Sequence, residues 1–187
     1  MVLLPSSVAA PKVEHLAGSE RPQRVSIVHG ISYARPMRPV RYFDDYVLGD
    51  RFVTDRVTIT EGMILQFARM YDTQLFHINL DKTAESNFGG LIGSGLQTLN
   101  FSFALFFRLE LVQPVALGGP GLDNLRWTRP LRPGDTIHVI CEVTKIVPSR
   151  SKPDRGMLTM RHDTFNQHDE LILTFDCMHL LRRREAA

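Results

Sequence analysis

The sequence predicts an α+β fold in which helices pack on one antiparallel sheet. Three observations carry that reading. Residues 61–72 show an apolar stripe at helical spacing, Met63, Ile64, Phe67, Met70 and Tyr71. Residues 94–111 form a second helical run that is apolar nearly all round and therefore belongs inside. Beyond Gly118-Gly119-Pro120-Gly121 the period changes, and the chain reads as successive strands separated by turn signals. The order strand, helices, strands places a buried helix beside a sheet of neighbouring antiparallel strands.

The 187 residues suit one domain with an extension, and 43% hydrophobic residues suit a globular core. A net charge of +2 gives no signal for nucleic acid or an anionic membrane surface as partner. Residues 1–40 carry Pro5, Pro11, Pro22, Pro36 and Pro39 without a period and read as an irregular arm, with a short strand at 26–29. The start of the chain lacks a basic region followed by a full apolar stretch, and the apolar run around residues 101–111 is broken by Arg108 and Glu110. The expectation is a cytoplasmic protein without a membrane span. Cys141 and Cys177 sit in alternating apolar runs as buried thiols, and the seven histidines form no metal-binding spacing, so neither metal nor cofactor is expected.

In chain order, residues 51–59 form the first strand, rich in β-branched Val53, Val57, Thr58 and Ile59. Thr60 is the N-cap of the helix that ends near Asp72. At that helix C-terminus the dipole would raise the Asp72 pKa, which suits a proton carrier. A turn over 73–76 leads to His77, a short helix follows over 81–86, and Gly89-Gly90 stops it. Gly93-Ser94-Gly95 then opens the long helix, whose polar residues Gln97, Thr98, Asn100 and Ser102 lie in its first half. Leu125 and Trp127 alternate with Arg126 and Thr128, and Pro133-Gly134 marks a turn. Ile137, Val139, Cys141 and Val143 share one face of the next strand. Residues 158–165 and 171–181 complete the sheet. A carboxylate, an imidazole and a helix N-terminus within residues 72–95 make a candidate acid/base site with an oxyanion-binding end.

Several separated segments carry a family resemblance: Phe67-Ala68-Arg69-Met70-Tyr71-Asp72-Thr73-Gln74-Leu75-Phe76-His77, then Gly93-Ser94-Gly95, then Leu125-Arg126-Trp127-Thr128-Arg129-Pro130-Leu131-Arg132-Pro133-Gly134-Asp135-Thr136, with residues 149–156 and Asn166-Gln167 beyond. Over about residues 42–183 the chain resembles the MaoC-like dehydratases, the (R)-specific enoyl-CoA hydratase group of the hot-dog fold. The domain division is then 1–40 for the arm and 41–184 for the hot-dog domain.

The resemblance implies hydration of a trans-2-enoyl-CoA, or the reverse dehydration, with an acyl-CoA thioester as substrate. It maps the water-holding pair onto Asp72 and His77 and the thioester-oxygen donor onto the Gly95 N–H. Ser94 stands where the family commonly has a histidine and is a candidate supporting residue of the site. Asn100, with Ser102 nearby, falls where the family has a serine that supports the aspartate. Arg150, Lys152 and Arg155 are candidate contacts for CoA phosphates, and a homodimer is expected. Two further readings are a hot-dog thioesterase, for which the long helix offers only Glu110 as a carboxylate, and a non-catalytic acyl-CoA-binding subunit.

Overall fold

The computed structural model describes residues 39–79, 81 and 86–184. The arm, the strand expected at 26–29 and most of the short helix expected at 81–86 lie outside them.

Among the described residues seven strands form one antiparallel sheet: β1 (Arg51–Val53), β2 (Val57–Thr58), β3 (Ala116–Gly118), β4 (Leu122–Trp127), β5 (Thr136–Pro148), β6 (Arg155–Phe165) and β7 (Leu171–Arg182). The order is β1-β5-β6-β7-β3, with β2 also on β5 and β4 also on β7. The helices are α1 (Glu61–Tyr71), the single turn α2 (Leu75–Ile78) and the long α3 (Gly95–Phe107). This is the hot-dog arrangement, an antiparallel sheet around a buried central helix.

Period-2 alternation decides which side of the sheet is core. Ile137, Val139, Cys141 and Val143 of β5 are buried together, beside Leu158 and Met160 of β6 and Phe175 and Leu181 of β7. Leu105 and Phe106 of α3 join the same core. A one-residue slip would expose this whole set, so the registers His162↔Phe175 and Met160↔Cys177 are held by burial as well as by the ladder.

The strand expected over 51–59 is two strands, broken at Thr54. The Thr54 hydroxyl accepts a hydrogen bond from Val139 N–H (2.9 Å) and donates to Asp55 C=O (2.7 Å). A buried side chain thus takes over part of the ladder, and the chain bends before pairing again. The expected turn over 73–76 is shorter than read, because residues 75–78 coil into α2 and carry His77. Helix α3 ends at Phe107, before the expected residue 111. Leu109 N–H turns back to Phe106 C=O (2.9 Å) and Glu110 adopts φ 55°.

Candidate functional site

The site is built where three chain segments meet at the N-terminal end of α3. The Thr60 hydroxyl caps α1 by accepting from Met63 N–H (3.2 Å), as the sequence indicates. Twelve residues later the helix delivers Asp72 as its C-cap, in a non-helical backbone conformation (φ −153°, ψ 78°). From there α2 carries His77 inward, where only 4% of it is exposed. Gly93 N–H donates to Leu131 C=O (2.8 Å), which docks the start of α3 against the segment after β4. Gln97 amide donates to Met63 C=O (2.7 Å) and ties α3 to α1.

Ser94 joins the two halves. Its hydroxyl accepts from Leu96 N–H (3.2 Å) as the α3 N-cap and donates to Asp72 Oδ2 (2.6 Å). Gln74 amide donates to Asp72 Oδ1 (2.8 Å). His77 Nε2 stands 3.4 Å from Asp72 Oδ2. His77 Nδ1 is 2.8 Å from Ile92 C=O. A carbonyl only accepts, so Nδ1 carries a proton and Nε2 is the atom turned toward the carboxylate.

The structure corrects the expected direction of the Asp72 pKa. Burial pushes it up, but the hydrogen bonds from Ser94 and Gln74, with the imidazole of His77 beside them, outweigh that and hold the carboxyl below its usual range. The C-terminus of α1 is close in sequence, yet the carboxylate points at the capped N-terminus of α3, where negative charge is favoured.

Asp72, His77, Ser94, Gly95, Thr98 and Trp127 all line one cleft of about 440 Å³, walled also by Phe76, Phe88 and Leu131. Gly95 occupies the first position of α3, where helix geometry gives its N–H no carbonyl partner. Its C=O accepts from the Trp127 indole N–H (2.9 Å). A methyl group on Gly95 would sit 2.7 Å from the Trp127 ring, so the indole lies against the glycine with no room for a side chain.

Two sets of expected site residues fall elsewhere. Asn100 is exposed and outside the cleft, and Ser102 is buried, donating to Thr98 C=O and sharing a hydrogen bond with Thr164 (both 2.8 Å). The serine that supports Asp72 is Ser94, brought there by the fold of the helix entry. Arg150, Lys152 and Arg155 belong to the β5–β6 hairpin, whereas the cleft lies at the other end of the strands, where Trp127 pairs with Leu173. The eleven-residue run of β6 separates them by about 33 Å within the chain. Arg155 is moreover engaged with Asp154 (2.7 Å). The sequence reading passed over three cleft residues. Gln74 is too exposed to leave a periodic signal, Trp127 reads as part of an alternating strand, and Arg129 carries no signal beyond its charge.

A family model described as "MaoC like domain" matches residues 46–164. The chain belongs to the MaoC-like family. It is similar to the crystal structure of a MaoC-like dehydratase from Rhodospirillum rubrum, with 35% identity, TM-score 0.71, and coverage of 78% of this chain and 99% of that one. Protein MaoC of Klebsiella aerogenes is 34% identical over 120 residues, which are 62% of this chain and 35% of that protein. The R-hydratase PhaJ1 of Pseudomonas aeruginosa, at 23% identity and TM-score 0.57 over 77% of this chain and 86% of that one, shares the fold. This MaoC-like chain thus shares its family with a MaoC-like dehydratase and its hot-dog fold with the neighbours above. Among its described residues no helix is long and apolar enough to cross a membrane.

Proposed function

We propose that this MaoC-like domain adds water to a trans-2-enoyl-CoA to give the (R)-3-hydroxyacyl-CoA, or runs the reverse dehydration. One observation carries the reading: His77 Nε2 and Asp72 Oδ2 stand 3.4 Å apart beside the first N–H of α3, and in the neutral tautomer with its proton on Nδ1 both atoms are acceptors. Two acceptors have no direct hydrogen bond to share. A water between them satisfies both by donating one hydrogen to each, which leaves an oxygen lone pair free to attack.

In this scheme the water oxygen bonds to C3 of the enoyl group while His77 Nε2 takes one of its protons. The C2–C3 π electrons move toward the thioester, and negative charge develops on its oxygen. The Gly95 N–H, reinforced by the α3 dipole, meets that charge where it forms; such a donor is worth about 3 kcal/mol. His77 then returns a proton to C2, so water is added with no net gain or loss of protons. Asp72, held ionised by Ser94 and Gln74, orients the water and stabilises the transient imidazolium.

Arg129 and Arg132 lie nearer the cleft than the β5–β6 hairpin does, and they are the proposed contacts for CoA phosphates. Arg129 lines the cleft and pairs with Glu170 (3.6 Å), and Arg132 donates to Phe88 C=O (2.6 Å). The thioesterase reading loses support because Glu110, the carboxylate it would use, is exposed beyond the far end of α3. The domain, residues 41–184 in this reading, acts as a cytoplasmic homodimer. Among the described residues β4 pairs only with β7, which leaves its outer edge available to a second copy.

The test is the loss of enoyl absorbance with a short and a long trans-2-enoyl-CoA, beside Asp72→Asn. Loss with the native chain only is expected. A folded native dimer inert toward both chain lengths, yet stabilised by CoA esters, would overturn hydration in favour of a binding subunit.

A further inference from the structure

The second half of α3 covers a different group of side chains. Cys177 and His179 are two residues apart on β7 and so project from the same face. His162 on β6 is opposite Phe175, diagonal to Cys177. One ligand atom from each of His162, Cys177 and His179 lies within 4.8 Å of the others. All three residues are buried, at 0%, 6% and 6% exposure.

Two of these side chains lack what buried polar groups normally have. Nε2 of His162 and Nε2 of His179 are both buried without a hydrogen-bond partner among the described residues. A stranded polar atom in the interior forgoes the hydrogen bonds it makes in water, and two within one cluster call for an explanation. The surroundings offer none. His162 stacks on Phe175 (ring centroids 4.7 Å apart) and meets Phe106 edge-on (4.7 Å), and Phe106 also packs on His179 (5.3 Å). A second cavity, of about 410 Å³, reaches Cys177 and His179 and gives the cluster a way in.

We propose that His162, Cys177 and His179 form a binding site for a soft metal ion, and that the ion is Cu+. The donor set of one sulfur and two imidazole nitrogens suits a soft or borderline cation. Charge chooses within that class. Binding releases the thiol proton to solvent as the sulfur–metal bond forms, so Cu+ with one thiolate and two neutral imidazoles is a neutral unit. Zn2+ on the same donors keeps one positive charge among phenylalanine rings, where an unpaired charge is costly. Metal–ligand bonds of about 2.0–2.3 Å put donors under about 4 Å apart, so the cluster closes by about an ångström on binding. The linear sequence hides this site, since sixteen residues separate the strand positions of His162 and His179 and only the sheet register unites them.

The experiment is an anaerobic titration of the full chain with Cu+ against a chromophoric Cu+ chelator, and in parallel with Zn2+ against a chromophoric Zn2+ chelator. One equivalent of Cu+ is expected, with a rise in melting temperature. Cys177→Ala and His179→Phe, which each remove a donor atom and leave an apolar side chain, should each weaken binding at least tenfold. X-ray absorption on the native Cu+ form should show one sulfur and two nitrogens, and it decides the matter if the variants do not fold. Asp72→Asn, silent in the hydration assay, should keep its equivalent of Cu+, so failure of either reading leaves the other standing. Less than one equivalent, undiminished binding in both variants, or a sulfur-free shell would overturn the site. One equivalent of Zn2+ with Cu+ excluded would overturn the monovalent assignment.

Discussion

The two ends of α3 both bury histidine, and they treat it in opposite ways. At the N-terminal end His77 has its Nδ1 on the Ile92 carbonyl and its Nε2 facing Asp72, in a cleft open to solvent. Toward the C-terminal end His162 and His179 are equally inaccessible, but each has a stranded Nε2 among aromatic rings. Burial is nearly the same in both places, so burial alone does not mark a catalytic histidine. Partners do. A fixed Nδ1 aims Nε2 at one chemical task, whereas an imidazole with no partner at its open nitrogen waits for something to bind it. The polar residues of α3 divide accordingly: Ser94 holds the acid/base pair, and Ser102 and Thr164 close on each other in the core.

The largest expected effect tests the N-terminal end directly. Asp72→Asn should lower kcat by about 10²–10⁴-fold, the range for a positioned acid/base group, with little change in melting temperature because Asp72 sits at the cleft surface. Steady-state kinetics beside circular dichroism checks both halves. A folded variant with native turnover would remove the chemical distinction between the two ends.

Next in size is Gly95→Ala. The new methyl group falls 2.7 Å from the Trp127 indole, so the ring, half exposed, must swing outward or the helix start must shift. Either change misplaces the oxyanion donor, and a loss of about ten- to hundredfold in kcat is expected, with KM moving less. Trp127→Phe, which removes the indole donor to the Gly95 carbonyl, should show the same pattern more mildly.

How much of this was legible in the sequence depends on the range of the interaction that fixes each feature. The Thr60 cap, the α1 stripe and the alternation of β5 are local, and each is where periodicity puts it. The break at Thr54 depends on Val139, eighty-five residues away, so the β-branched run from 51 to 59 conceals it. The Asp72–His77 pair is visible as a spacing, but the sequence leaves the support for Asp72 open among Ser94, Asn100 and Ser102. The structure assigns that support to Ser94, because the N-cap residue turns its hydroxyl across to a neighbouring helix end. Likewise, the charge of the hairpin 149–155 says nothing about which end of the sheet it occupies, and the ladder puts it within this chain at the end away from the cleft.

Ser94→Ala separates the two jobs of one hydroxyl. Loss of the N-cap should cost about 1 kcal/mol of stability. Loss of the 2.6 Å hydrogen bond should let the Asp72 pKa rise. The sign follows from the ionised form being the active one. With Asp72 below its usual value, protonation removes activity only at pH below about 3.9; with the pKa raised, the acid limb moves to higher pH. Activity at pH 5 relative to pH 7 should therefore fall in the variant and stay flat in the native chain with respect to this group. Stability moves the same way. A folded carboxyl that binds protons less readily than the unfolded one adds stability above about pH 3.9, which is lost as the pH drops. The variant surrenders part of that gain.

Gln74→Leu gives the smallest effect and the finest test of what fixes the carboxylate. Its amide holds Asp72 Oδ1, the oxygen turned away from His77, and Gln74 itself is exposed. Water can replace an exposed donor, so no measurable loss of stability is expected. What water cannot replace is the fixed rotation of the carboxyl group, and a misrotated Oδ2 no longer meets the water shared with Nε2. A two- to fivefold fall in kcat at constant KM is the expected result, of the order of 0.5–1 kcal/mol in the barrier. A fall in KM with it would instead mean that Gln74 touches substrate. Combining Gln74→Leu with Ser94→Ala then asks whether the two donors act on one rotation. If they do, the double variant loses more than the product of the single losses, because only then is the carboxylate free to turn away from His77.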